Sequence, residues 1–142
     1  MNAFSRKRLK ITSKIHAWVY RAFGGVFLTR FEGMDFLLLT TIGRTSGEKR
    51  TTPLTYILEG NHYMVVASYG GNAVDPAWMK NLLLNPRAHI QVEKKKLNVI
   101  ARVVAPTEYE YVWNKFLQAS DRYREYRKKT ERPFPIFILE PQ

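Results

Sequence analysis

Three cations and two glycines crowd one short segment, Gly43 to Arg50. Arg44, Lys49 and Arg50 follow an apolar run, Phe36 to Leu39, and Pro53 stands inside the returning stretch. A guanidinium can grip phosphate or carboxylate with two parallel N–H donors, a geometry that an ammonium does not offer. Gly43 and Gly47 permit positive φ, and such a turn can leave backbone N–H groups exposed as a nest for an anion. Proline suits an edge strand or a bulge, where backbone outside the ladder can face a ligand. The competing reading is a solvated turn with ordinary surface cations.

Two later stretches have a similar character. Val65 to Gly71, VVASYGG, ends an apolar strand in small residues that would let a flat molecule approach the backbone. Asp75 to Asn81, DPAWMKN, offers a capping acid, a first-turn proline and Trp78 at a helix start whose free N–H groups favour an anion. Trp78 fits a plain core role equally well. His16, His62 and His89 sit in unrelated contexts, without metal-ligand spacing, and no nucleophile elbow, Walker loop or dinucleotide fingerprint is present. No metal site is expected. Difficult chemistry would fall to a bound cofactor that the protein orients.

The elements that must position these residues fit one domain of 142 residues. Cysteine is absent, which removes disulfide frameworks and Cys-based metal sites and fits a reducing, cytoplasmic setting. The start is a poor secretory signal, and no apolar stretch is long enough to span a membrane. The formal charge is +11, and Arg6, Lys7, Arg8, Lys10, Lys14, Arg21 and Arg30 all precede the first acid, Glu32. Such a field attracts anionic partners. Nucleic acid is disfavoured, because neither a reader motif nor cations interleaved with aromatics are evident.

Apolar residues recur at helical spacing between Lys10 and Leu28, so residues 1–30 are expected to form a basic amphipathic helix, ending near Gly24-Gly25, that could lie on an anionic membrane as a peripheral anchor or pack on its own domain. Strands are expected at Asp35–Thr41, Arg50–Leu58, His62–Ser68, His89–Glu93, Leu97–Val104 and Pro135–Leu139, with Lys94, Lys95 and Lys96 forming a basic turn. Helices are expected at Ala77–Leu84, from the capping-box pattern Thr107-x-x-Glu110 to about Ala119, and over Arg122–Lys129. Mostly antiparallel strands with inserted helices give an α+β class, a small barrel with helices at its ends, over residues 31–142.

Taken in order, LLLTTIGRTSGEKRTTPL, VVASYGG, DPAWMKNLLLNP and DRYREYRKKTERPFPIFILEP resemble the deazaflavin-dependent nitroreductase family, from about Leu37 to Pro141. The resemblance implies a split β-barrel of the flavin-reductase type with flanking helices. It implies a reductase that uses coenzyme F420, an 8-hydroxy-5-deazaflavin, to deliver a hydride to a quinone, nitroaromatic or activated enone. By motif position, Arg44, Thr45, Ser46, Lys49, Arg50, Thr51, Thr52, Pro53, Leu54 and Thr55 would line the phosphate side of the coenzyme. Val66, Ala67, Ser68 and Tyr69 would pass its ring, and Ala77, Trp78, Met79, Lys80 and Asn81 would close over the other side. Tyr123, Tyr126 and Ser68 would border the acceptor, placing it or donating a proton. Thr45 and Tyr69 stand where the family often has lysine, and Ser120 where it often has an aromatic. FMN or another flavin in the same barrel is the runner-up, and a non-catalytic module for anionic lipid or nucleic acid is the reading from a different class.

Overall fold

The structure is a computed structural model that describes residues 30–31 and 33–142; the expected N-terminal helix and its membrane contact lie outside them. Strand β2 (Met34–Ile42) is the hub. It pairs antiparallel with the two-residue β1 (Arg30–Phe31), with β3 (Lys49–Thr55) and with β6 (Arg87–Val92). Beyond β6 the ladder runs through β7 (Lys95–Val103), β8 (Ile136–Pro141), β5 (His62–Val66) and β4 (Ile57–Glu59), every pair antiparallel.

The end strands of that path, β3 and β4, are consecutive in the chain, with only Tyr56 between them. The Tyr56 N–H donates to the Asp35 carbonyl at 3.1 Å. The sheet thus curls until its two ends meet through one piece of backbone, which makes it a split barrel. The single strand expected over Arg50–Leu58 is divided at Tyr56, because backbone that closes a barrel must leave one neighbour for another. The basic turn is likewise shorter than expected: Glu93 and Lys94 make it, Glu93 at φ 55°, and Lys95 and Lys96 already belong to β7.

Alternation along the strands divides the core in two. Phe137 and Leu139 of β8 and Tyr63 and Val65 of β5 face inward, joining Leu37, Leu39, Ile90 and Val99, with Trp78, Met79 and Leu82 from helix α1 (Ala77–Leu84). Ile136, Ile138, Met64 and Val66 face outward, where α2 (Pro106–Ala119) and α3 (Arg122–Lys129) cover them with Val112, Trp113, Phe116 and Tyr123. Burial on both faces explains why β2, β5 and β8 read as continuous apolar runs.

The helices occupy the expected segments, but their starts differ. Pro76, extended at ψ 148°, is the residue before α1, and Asp75 does not cap it. The capping box also fails to form: α2 begins at Pro106 after Ala105, so Thr107 is already inside the helix. The Tyr109 phenol donates to the Phe134 carbonyl at 2.7 Å, and burial pushes its pKa up.

Asp75 is drawn to Arg132 instead. The Arg132 guanidinium, in a side chain only 10% exposed, donates to the Asp75 carboxylate at 3.0 Å and to the carbonyls of Ala67, Ser68 and Asn72 at 3.1, 2.9 and 3.0 Å. Arg127 of α3 lies over the Phe134 ring and donates to the carbonyls of Thr130 and Arg132, which fixes the loop that carries the clamp. Replacing Arg132 with Met strands several acceptors at once and should cost about 2–4 kcal/mol. Asp75→Asn, at a half-exposed carboxylate, should cost less than about 1 kcal/mol. Urea denaturation of both variants checks this; equal losses would contradict the carbonyl clamp.

Candidate functional site

A cleft of about 450 Å³ opens between β3, the turn after β5 and the starts of α1 and α3. Arg50, Thr51, Thr52, Pro53, Leu54 and Thr55 line it without a gap. Alternate residues of a strand point to opposite faces, so six consecutive lining residues mean that β3 presents its edge. Its ladder runs to β2, and Pro53, opposite Leu38, sits in an edge strand where its missing N–H is tolerated. Hydroxyls stud this wall, with Thr40 Oγ1 and Thr51 Oγ1 2.7 Å apart at one end.

The opposing wall is the turn that Arg132 clamps. Tyr69, Gly70 and Gly71 all adopt positive φ, at 47°, 63° and 79°. That reversal exposes Tyr69 at the cleft and presses Gly71 against α3, where an added Cβ would lie 2.8 Å from the Tyr126 carbonyl oxygen. Val66, Ser68 and Gly70 complete this wall, and Pro76, Ala77 and Trp78 bring in the start of α1. At the far end of β3, the Tyr123 hydroxyl lies 2.7 Å from Thr55 Oγ1. The Tyr123 ring is wedged edge-on among Trp113, Phe116 and Tyr126, so the hydroxyl has one fixed position.

Of the residues singled out in the sequence, Arg50 to Thr55, Val66, Ser68, Tyr69, Ala77, Trp78, Asn81, Tyr123 and Tyr126 come together around this cleft. Arg44, Thr45, Ser46, Lys49, Ala67, Met79 and Lys80 are not among the residues that line it. Arg44 turns instead to Asn81, whose Oδ1 accepts from both its backbone N–H and its Nη1 at 3.1 Å. Asn81 in turn donates to Thr41 Oγ1 at 3.0 Å, and both partners are fully buried. Asn81 is therefore a brace between α1, β2 and the glycine turn. Met79 is buried in the inner core, and the Ala67 carbonyl belongs to the Arg132 clamp.

The anion nest expected from Gly43 and Gly47 is not formed. The Gly43 N–H donates to the Glu48 carbonyl at 2.7 Å and the Gly47 N–H to the Gly43 carbonyl at 2.8 Å, so closing the hairpin consumes both donors. Gly47 alone of the two has positive φ; Gly43 serves close packing, since an added Cβ would lie 2.8 Å from Ser46 Oγ.

Thr41 and Arg122 line the cleft without having been singled out, and Gly70 and Pro76 line it from the VVASYGG and DPAWMKN stretches. Arg122 was hidden by its setting, because DRYREYRKK reads as a solvated charged helix. Its Nη2 donates to Met34 Sδ at 3.2 Å, and its guanidinium lies 5.2 Å from the Tyr123 ring centroid. Among the described residues, no carboxylate lines the cleft, and the charged side chains that do are Arg50 and Arg122. Among the described residues, no group of His, Asp and Glu could hold a metal ion.

Comparison with known proteins gives this geometry a setting. A family profile described as F420H(2)-dependent quinone reductase matches residues 12–141. An F420H(2)-dependent quinone reductase of Mycobacterium tuberculosis is 36% identical over 130 residues, 89% of this chain and 87% of that protein. A solved structure of an F420-H2 dependent reductase is 39% identical, covers 74% of this chain and 93% of its own, and superposes with a TM-score of 0.67. Another, described as a domain-swapped dimer, is 32% identical, covers 96% of this chain and 97% of its own, and has a TM-score of 0.71.

Two substitutions probe the frame of the cleft. Asn81→Ala leaves the Arg44 donors and the Thr41 hydroxyl without their buried partner, an expected loss of about 1–3 kcal/mol in thermal or urea unfolding. Gly71→Ala meets both the Tyr126 backbone and an unfavourable φ, and should cost at least as much. Wild-type stability in either variant would contradict the packing described.

Proposed function

The chain belongs to the F420H(2)-dependent quinone reductase family, and from that premise we propose that its cleft holds coenzyme F420 along the free edge of β3 and presents it to a quinone at the Tyr123 end. The observation that carries this reading is the lining of the cleft: Arg50 at one end, hydroxyls along one wall, a clamped small-residue turn opposite and, among the described residues, no acid. An anionic cofactor with a flat ring fits that donor set. Arg50 would take the phosphate or carboxylates of its tail, with Thr51 and Thr52 adding hydroxyl donors. The edge of β3 and the turn from Val66 to Gly70 would flank the ring. When bound, the reduced coenzyme supplies a hydride to the acceptor.

The protein's own part is positional and acid–base. Trp78 and the Tyr69 ring keep the cleft dry, Ser68 offers a hydrogen bond to an acceptor oxygen, and Tyr123, held by Thr55, orients that oxygen and can return a proton to it. Nitroaromatics and activated enones share the needed features of a flat, electron-poor acceptor with a polar oxygen and belong to the proposed range. The cationic N-terminal residues support a peripheral contact with anionic membrane, where hydrophobic quinones dissolve.

Fluorescence titration with oxidised coenzyme, together with absorbance-monitored oxidation of reduced coenzyme by menadione, tests the proposal. Binding in the micromolar range and turnover above background are expected. Arg50→Gln should weaken coenzyme binding about tenfold and flatten its salt dependence. Tyr123→Phe should leave binding within about twofold while lowering kcat by tenfold or more, as expected for loss of an acid–base group contributing roughly 10²–10⁴. Absence of binding, or an Arg50 variant indistinguishable from wild type, would overturn it.

A further inference from the structure

Seven large apolar side chains stand exposed among the described residues, and four of them, Tyr69, Val74, Leu83 and Leu84, fall in the turn after β5 and in α1. Single exposed apolar residues are ordinary, but a group confined to one face points to a surface that is covered in use. Leu83 and Leu84 are 60% and 70% exposed. Along α1, Ala77, Lys80 and Leu84 follow at i, i+3 and i+7, with Leu83 beside them, so they share one solvent-facing stripe. The opposite side of the helix sends Trp78, Met79 and Leu82 into the core.

The surroundings of this stripe are cationic. Lys80 stands within it, exposed Arg87 follows the helix, and the hairpin that carries Arg44, Lys49 and Arg50 is tied to α1 by the bonds from Arg44 to Asn81. The acids of the same segments are already matched, Asp75 by Arg132 and Glu48 by Arg50 at 3.4 Å. The cleft also opens on this face, because Tyr69 and Ala77 are both exposed and part of its lining. A second copy of the chain would set these cations against themselves, and the segment before β1 is itself basic. An anionic bilayer complements both the charge and the apolar stripe.

We propose that the exposed stripe of α1, with Val74 and Tyr69, docks on the surface of an anionic lipid bilayer and sets the mouth of the cleft against it. Leu83 and Leu84 enter the headgroup boundary, while Lys80, Arg87 and Arg44 meet lipid phosphates. This contact is separate from any made by the cationic N-terminal residues, and it fixes an orientation that charge alone does not. A quinone with a long hydrocarbon chain then passes from the bilayer into the cleft without crossing water. That consequence for the acceptor rests on the reductase reading of the cleft; the docking face itself does not.

The chain has no cysteine, so Leu84→Cys in the full chain takes a single environment-sensitive fluorophore, and Gln118→Cys, exposed on α2, serves as the control. On vesicles of phosphatidylglycerol and phosphatidylcholine the Leu84 label should shift to the blue and be quenched by brominated lipid, while the Gln118 label should do neither. The double variant Leu83→Ser/Leu84→Ser should weaken vesicle binding by about tenfold, the weight of withdrawing two part-buried leucines. No vesicle binding by the full chain, or binding that leaves the Leu84 label in water, overturns the inference. A blue shift that needs no lipid and grows with protein concentration assigns the face to a second copy and overturns it equally. Oxidation of reduced coenzyme F420 is measured alongside, with menadione in solution and with the same ring bearing a long isoprenoid chain in vesicles. The double variant should keep the first rate and lose about tenfold in the second. Turnover with a Leu84 label that stays in water defeats this inference alone, whereas insertion of the label without turnover defeats the reductase reading and leaves the docking face standing.

Discussion

The guanidinium of Arg132 gathers the carbonyls of Ala67, Ser68 and Asn72 and the carboxylate of Asp75 around one planar group. Together with the packing of Gly71 against α3, it holds a turn with three successive residues at positive φ against the barrel. A left-handed turn containing a tyrosine is costly backbone, of order 1–3 kcal/mol at a non-glycine residue, and persists only where its surroundings over-determine it. Arg132 supplies that determination from the far side of the chain. Arg127 fixes Arg132, and α3 fixes Arg127, so the helix that carries Tyr123 and Tyr126 also sets the opposing wall. The two sides of the cleft are thereby mechanically one unit.

Barrel closure explains the rest of the cleft. Because β3 and β4 are the two ends of one ladder joined at Tyr56, β3 is left, among the described residues, with a ladder on one side and an edge on the other. That edge is the long wall of the site. An exposed strand edge is ordinarily a hazard for aggregation, which proline and charge mitigate. Here Pro53, Lys49 and Arg50 meet that description, and the same features suit an edge reserved for a ligand. A cofactor-holding role and protection against wrong pairing are satisfied by one set of residues.

Local chemistry was legible in the sequence, and long-range pairing was not. Helix α1 was readable because Pro76 and Pro86 bound it, whereas α2 was placed by the Thr107-x-x-Glu110 pattern, which does not form, and opens instead at Pro106. The strands were readable as apolar runs, but the break at Tyr56 was not, since it follows from closure rather than from any residue between Arg50 and Leu58. Asp75 looked like a helix cap until a guanidinium 57 residues away claimed it. Within GRTSGEKR the cations were conspicuous, yet which of them face the cleft depends on the strand edge and on buried Asn81. Arg50 lines the site and Arg44 does not. Arg122 escaped notice because charge on a helix defaults to solvent, and only the packing of α3 beside β3 makes it part of a wall.

The central claim, that the free edge of β3 and the clamped turn together receive coenzyme F420, is most directly tested by amide hydrogen exchange of the full chain with and without saturating oxidised coenzyme. Protection should rise in Thr51–Thr55 and in the segment from Val66 to Asn72, and stay unchanged at the Glu93–Lys94 hairpin on the other side of the ladder. Protection confined to that basic hairpin, or absent from both walls of the cleft, would contradict the account.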